Sequence, residues 1–137
     1  MNAYSLVVIA AGVFFLNGLL TGVWKFRQMA TSEDGTAHIY VDLAHRASLM
    51  YAFASILLAA FVNISQLPAG LELFAVSLLV GYFAIAISVY MLHGYQRDTD
   101  NQMRNMSAAA NMFLWSLVIA EIGGFLILFY GVLVALL

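Results

Sequence analysis

Three histidines carry the metal-binding chemistry open to this chain: His38, His45 and His93. Two of them stand in the run His38-Ile39-Tyr40-Val41-Asp42-Leu43-Ala44-His45, with a carboxylate between them and Arg46 after them. If this run is helical, His38, Asp42 and His45 fall at i, i+4 and i+7 and share a face. Two imidazoles and a carboxylate on one face suit a metal ion. Alternatively, a single imidazole at the end of a helix ligates a haem iron lying between helices. Either use leaves the second ring N–H needing an acceptor, here Asp42 or a nearby backbone carbonyl. The plainer reading is that interfacial histidines are hydrated and idle. Met29, Met50, Met91, Met103, Met106 and Met112 offer soft sulfur for copper, although such a scatter more often reflects packing.

Two further polar residues fall inside apolar runs. Asn17 shares a helical face with Ala10, Thr21 and Trp24, beside the close-approach pattern Gly18-Leu19-Leu20-Thr21-Gly22. A hydrogen bond between helices is the simplest use for it. Glu121 lies deep in the last apolar run, next to Gly123-Gly124. A carboxyl there costs a few kcal/mol unless it is protonated or paired, so it must face protein. Asn17, Tyr82 and the serines of the second and third runs are its candidate partners. It serves as a proton carrier, as a group that polarises a substrate, or as a hydrogen-bonding tie.

The elements that position these residues follow from composition. The chain has 137 residues, of which 64 % are hydrophobic and 9 % charged. No soluble domain of that length hides so much apolar surface, so the lipid bilayer is its solvent. There are no cysteines, which excludes disulfides and thiolate metal sites, and a net charge of −2 gives no reason to expect nucleic acid. Four apolar runs, at about 4–24, 44–64, 71–93 and 110–136, each reach the ~20 residues a spanning helix needs. The fold class is therefore all-α: an integral membrane four-helix bundle forming a single domain over 1–137. Residues 26–41 read as a polar loop with a short helix entering at Asp42, 63–70 as a turn around Pro68, and 94–107 as a second polar loop. Small residues recur at helical spacing on the second span (Ser48, Ala52, Ser55, Ala59) and the third (Ser77, Gly81, Ala84, Ser88), which marks tightly packed faces. Tyr82, Ala86, Tyr90 and His93 share another face of the third.

Lys25, Arg27 and Arg46 flank the first loop, and Arg97 and Arg104 lie in the third; the second loop and both termini carry no basic side chain. The positive-inside rule then puts loops one and three in the cytoplasm and both termini on the periplasmic or outer side, as in a bacterial inner-membrane protein. All three histidines fall at the cytoplasmic end.

Ala44-His45 at the opening of span two, and Tyr90-Met91-Leu92-His93 followed by the polar Arg97–Asn101 stretch, resemble the styrene oxide isomerase and hydroxylaminobenzene mutase superfamily. The layout covers most of the chain, and the two short motifs carry the specificity. The resemblance implies haem b held between protomers of a trimer, with His45 as axial ligand of the haem iron. It implies ferric iron acting as a Lewis acid in a redox-neutral isomerisation of a small apolar substrate. Tyr90 would line the pocket, Tyr51 and Tyr90 would orient the substrate, and Asp42 could accept the His45 N–H. His93 could supply a second axial ligand. Where the family carries Asn six residues after the His, this chain has Tyr51, and the basic tails of the family are absent. The alternative from another class is a non-catalytic small subunit packed in a larger membrane complex, for example a respiratory one. A third reading is a transporter or proton channel around Glu121, against which stand the lack of internal repeat symmetry and of a second deep charge.

Overall fold

The computed structural model describes residues 1–104 and 106–137; Asn105, which the sequence puts in the second polar loop, lies outside them. Four helices account for nearly all of the chain: α1 (Ala3–Thr31), α2 (Ile39–Ile64), α3 (Ala69–Gln96) and α4 (Ala108–Leu136). All four are long and apolar enough to cross a membrane. At 26 to 29 residues each is roughly 40 Å long, which exceeds the ~30 Å hydrocarbon core by two turns or so.

Each start has a local cause. Asn2 caps α1 by accepting from the Ser5 N–H at 2.8 Å, and Ser107 caps α4 by accepting from the Ala110 N–H at 3.1 Å. His38 caps α2, its Nδ1 accepting from the Tyr40 N–H at 3.3 Å. Pro68 precedes α3, where a missing N–H costs nothing. The stops are equally local. Asp34 closes an Asx turn onto Thr36 next to Gly35 at φ +70°, and Arg97 ends α3 in the left-handed region at φ 52°.

The expected 26–41 loop is mostly helix. α1 runs on through Phe26, Arg27, Gln28, Met29 and Ala30, and α2 already begins at Ile39, leaving residues 32–38 as the connection. Arg, Gln, Met and Ala are strong helix formers, and beyond the hydrocarbon their polar groups project into water without penalty. Hydropathy marks where a helix leaves the membrane, and it is blind to where the helix ends.

Packing is not that of a square bundle. α2 and α3 form a central pair; α1 packs on both from one flank and α4 on both from the other, and α1 and α4 do not touch among the described residues. The α1–α2 contact is the most extensive. It is an antiparallel seam in steady register: Gly18 meets Leu49, Gly22 meets the His45 ring, and Lys25 pairs with Asp42. α4 is held by a thin strip of Ala120, Gly124, Leu128, Gly131 and Val132. Gly124 lies against the Ala75 carbonyl and Leu79, and Gly131 against Ser65 and Leu67.

The small stripe of α2 is buried, as its spacing implies. That of α3 is not: Ser77, Ala84 and Ser88 are exposed, and a Cβ on Gly81 would meet open space. The face α3 buries is larger and purely apolar, with Ala75, Val76, Leu79, Phe83, Ala86 and Ile87. Asn17 proves to be a tie between helices. Its Nδ2 donates to Ser48 Oγ at 2.8 Å and reaches Met91 Sδ at 3.6 Å, so one amide joins α1 to both central helices. Bonds of this kind contribute about 1 kcal/mol in a bilayer.

Candidate functional site

The α1–α2 seam fixes His45. Its Nδ1 stands 2.8 Å from the Gly18 carbonyl oxygen. A helical carbonyl only accepts, so Nδ1 carries the proton and Nε2 keeps its lone pair. The ring edge lies so close to α1 that a Cβ on Gly22 would stand 2.9 Å from Cε1. Glycine at 22 is what lets the imidazole lie in the seam. Among the described residues Nε2 has no hydrogen-bond partner, and the one buried side-chain polar atom without a partner is Glu121 Oε1. The lone pair of His45 therefore reaches the surface of the chain.

The surroundings of that surface are graded. At the loop end, Asp42 binds Lys25 Nζ at 2.6 Å and Arg46 at 3.2 Å. Two turns deeper on the same seam, Phe15 and Phe53 make an edge-to-face pair at 6.4 Å, both exposed. Cations thus stand at one end of the His45 strip and aromatic surface at the other. Asp42 is committed to the two cations, and the acceptor for the His45 N–H is the Gly18 carbonyl.

His38, Asp42 and His45 do not come together as a metal site. His38 is the α2 cap, turned back on its own first turn, and its backbone N–H donates to Gln28 Oε1 at 2.9 Å. No cluster of three His, Asp or Glu side chains suited to a metal ion occurs among the described residues. His93 is on the opposite flank. Its Nδ1 stands 2.9 Å from Asp98 Oδ1, and its ring lies 5.1 Å from that of Tyr40.

A second constellation occupies that opposite flank. Between α3 and α4 lies a cavity of about 390 Å³, lined on its apolar sides by Ala86, Phe113 and Leu117 among others. Its polar wall is Tyr90, His93, Thr99, Gln102 and Arg104. Its mouth is shared with a charged depression formed by His38, Arg97, Asp98 and Asp100. The first turn of α2 meets the loop before α4 here, because the Tyr40 hydroxyl accepts the Gln102 N–H at 2.5 Å. Farther in, Tyr51 stacks on Phe83 with centroids 4.1 Å apart, and Tyr40 lies 6.1 Å from Tyr90.

The structure thus places Tyr90 on the wall of the α3–α4 cavity and Tyr51 against Phe83 of α3, while His45 lies in the α1–α2 seam. The partners expected for Glu121 are engaged elsewhere: Asn17 with Ser48, and Tyr82 with Ser116 at 3.0 Å. Sequence reasoning missed the roles of Gly18, which supplies the carbonyl, and Gly22, which makes room for the ring. The GxxxG pattern marked both, but nothing in it shows which residue of another helix fills the space.

The loop tie has a predictable pH response. The hydrogen bond from His93 holds the Asp98 carboxyl below its ordinary range, helped by backbone donors. The folded chain then binds this proton more weakly than the unfolded chain. The stabilisation is complete above the ordinary Asp value of ~3.9 and fades as pH falls through the lowered one. Amide exchange at Thr99 and Asn101, corrected for intrinsic rates, is expected to speed up below about pH 4. In Asp98→Asn it is expected to be fast at every pH.

No family model, curated protein or solved structure matches the chain.

Proposed function

We propose that this protein binds haem b through His45 Nε2 on its α1–α2 flank, within the membrane, and uses it for a redox-neutral rearrangement of a small apolar substrate. One observation carries the reading: the Nδ1–H of His45 is tied to the Gly18 carbonyl, which leaves an oriented lone pair at the surface of the seam. Ligating imidazoles are held in this way, with the second ring nitrogen donating to a carbonyl or carboxylate. The rest of the strip fits the same group. Lys25 and Arg46 suit its propionates, and Phe15 and Phe53 suit its apolar edge. A ferric haem held there supplies a Lewis acid for an epoxide or hydroxylamine oxygen.

His45 exposes its lone pair on the outside of the single chain, so the group it holds needs cover from a second chain. The outward stripe Ser77, Gly81, Ala84 and Ser88 on α3 gives a neighbouring helix a close approach. A homo-oligomer, a trimer by resemblance, closes the site in this way. Tyr51 stacks on Phe83 and Tyr90 lines the α3–α4 cavity, so in this reading a neighbouring chain supplies the tyrosine that meets the substrate at His45. The charges at the loop end set the orientation, with loops one and three in the cytoplasm and both termini outside, in a bacterial inner membrane.

The test is an absorption spectrum of the detergent-purified protein, expressed with added haem precursor, oxidised and dithionite-reduced. A Soret band is expected in the wild type and not in His45→Ala, with both eluting as the same oligomer. A high-spin ferric form is expected, since one imidazole leaves the sixth position open. A colourless wild type, or a band unchanged in His45→Ala, sinks the haem reading. A non-catalytic subunit of a larger complex then takes its place.

A further inference from the structure

The fourth helix is packed over its second half only. Its buried residues begin at Ala120 and continue through Gly124, Leu128, Gly131 and Val132. Before Ala120, α4 is tied to α3 by the hydrogen bond from Tyr82 to Ser116 at 3.0 Å, with Phe113 beside the Tyr82 ring. Yet this half carries an apolar stripe, Ala110, Phe113, Leu114 and Leu117, at i, i+3, i+4 and i+7. α3 repeats the spacing with Ala86, Val89, Tyr90 and His93. The two stripes line the walls of the α3–α4 cavity without closing it, and Phe113 stays 39 % exposed. Stripes that stop short of each other lose contacts along both faces. At about 390 Å³ the gap lies at the small end of ligand pockets, ~300–1,000 Å³, so it suits one compact molecule.

The polar end of the gap sets the kind of molecule. In the depression at its mouth Arg97 and Arg104 stand with Asp98 and Asp100, so the charges balance and no ionic head is favoured. Arg104 is paired with Asp100 at 3.4 Å, and Asp98 is bound to His93 Nδ1 at 2.9 Å. An ionised carboxylate only accepts, so in the neutral ring Nδ1 carries the proton and Nε2 keeps its lone pair. Among the described residues neither His93 Nε2 nor the Tyr90 hydroxyl has a hydrogen-bond partner, and neither is a buried unpaired atom. Both side chains line the cavity. Three residues apart on α3, they stand side by side, one offering an acceptor and the other an O–H donor.

We propose that the α3–α4 cavity is a binding site for a compact, uncharged apolar molecule bearing a hydroxyl group, a phenol or an alcohol taken up from the bilayer. The ligand O–H donates to His93 Nε2, and its oxygen accepts from the Tyr90 hydroxyl. Its apolar body lies between the facing stripes, against Val89 of α3 and Phe113 and Leu117 of α4. A hydroxyl answers both groups at once. A carbonyl or an ether oxygen accepts from Tyr90 and leaves Nε2 without a donor. Asp98 is the positioning residue, because it fixes which ring nitrogen of His93 faces the ligand. The site is separate from the α1–α2 seam and does not rest on haem.

Methyl NMR of the alanine-labelled protein in detergent, titrated with 1-naphthol, tests it. The Ala86 and Ala110 methyls are expected to shift and saturate, and that of Ala59, which is buried away from the cavity, to stay in place. 1-Methoxynaphthalene, which has lost the donor, and 1-naphthoate, which adds a charge, are each expected to bind about tenfold more weakly. Tyr90→Phe and His93→Phe are each expected to weaken 1-naphthol by a similar factor, and His93→Phe to remove its advantage over the methyl ether. His45→Ala is expected to bind as the wild type does, so that failure of the haem reading and failure of this one are told apart. The proposal is overturned if the cavity methyls do not shift, if all methyls drift without saturating, if the ether or the naphthoate binds as tightly as 1-naphthol, or if Tyr90→Phe and His93→Phe both bind at wild-type strength. Should His93→Phe fail to fold, Tyr90→Phe and the ligand series decide.

Discussion

Gly22→Leu is expected to destabilise the protein by about 1–3 kcal/mol and to abolish haem binding with it. The first added carbon would stand 2.9 Å from His45 Cε1 and 3.1 Å from Nδ1, so either the ring leaves the seam or α1 moves off α2. If the ring leaves, the 2.8 Å contact to the Gly18 carbonyl breaks and the lone pair loses its direction. If α1 moves, the steady register from Gly18–Leu49 to Lys25–Asp42 is lost. Either way one substitution removes both stability and site. A reversible unfolding titration in mixed micelles, run beside a haem titration, reads both quantities. Gly12→Leu is the control, because a Cβ at Gly12 meets nothing within 4 Å. Equal behaviour of the two variants would show that the seam is not the haem site.

Glu121→Leu is expected to act in the opposite direction and to stabilise the chain by about 1–3 kcal/mol. The wild-type carboxyl leaves Oε1 buried without a partner, and an apolar side chain of similar size removes that cost. The same titration measures it as a raised midpoint with an unchanged slope. A loss of stability would mean that the carboxyl holds the helices together. A gain would mark Glu121 as a residue kept at the expense of stability, as functional groups often are.

The four spans were legible because apolar runs of spanning length admit few alternatives. The buried stripe of α2 and the linking role of Asn17 were legible too, since small residues at helical spacing and a lone amide in lipid each have one ordinary use. The helix ends were not, because residues 26–31 and 39–41 form helix outside the hydrocarbon, where hydropathy carries no signal. The surroundings of Glu121 were not legible either. Which helices adjoin it depends on α1 and α4 taking opposite flanks of the α2–α3 pair, and no local pattern encodes that choice. For the same reason His45 and His93, which lie at one end of the bundle, could not be separated by reading along the chain. The small stripe of α3 shows the limit most clearly. Its spacing predicts a packed face, yet in this chain that face is exposed and α3 buries a larger, apolar one instead.

The separation of α1 from α4 also bears on how the chain is made. Every helix packs against its neighbour in sequence, and the most extensive contact joins the first two. A hairpin of α1 and α2 can therefore set its register, bury Ser48 and tie Asn17 to it while the C-terminal half is still being synthesised. α3 then docks against a formed surface, adding Met91 to the Asn17 tie. α4 arrives last and adds only its narrow strip, with no partner in α1 to wait for. Such a contact pattern lets assembly follow the order of emergence from the ribosome, and the helix that carries Glu121 is expected to dock last and to exchange its backbone amides most readily.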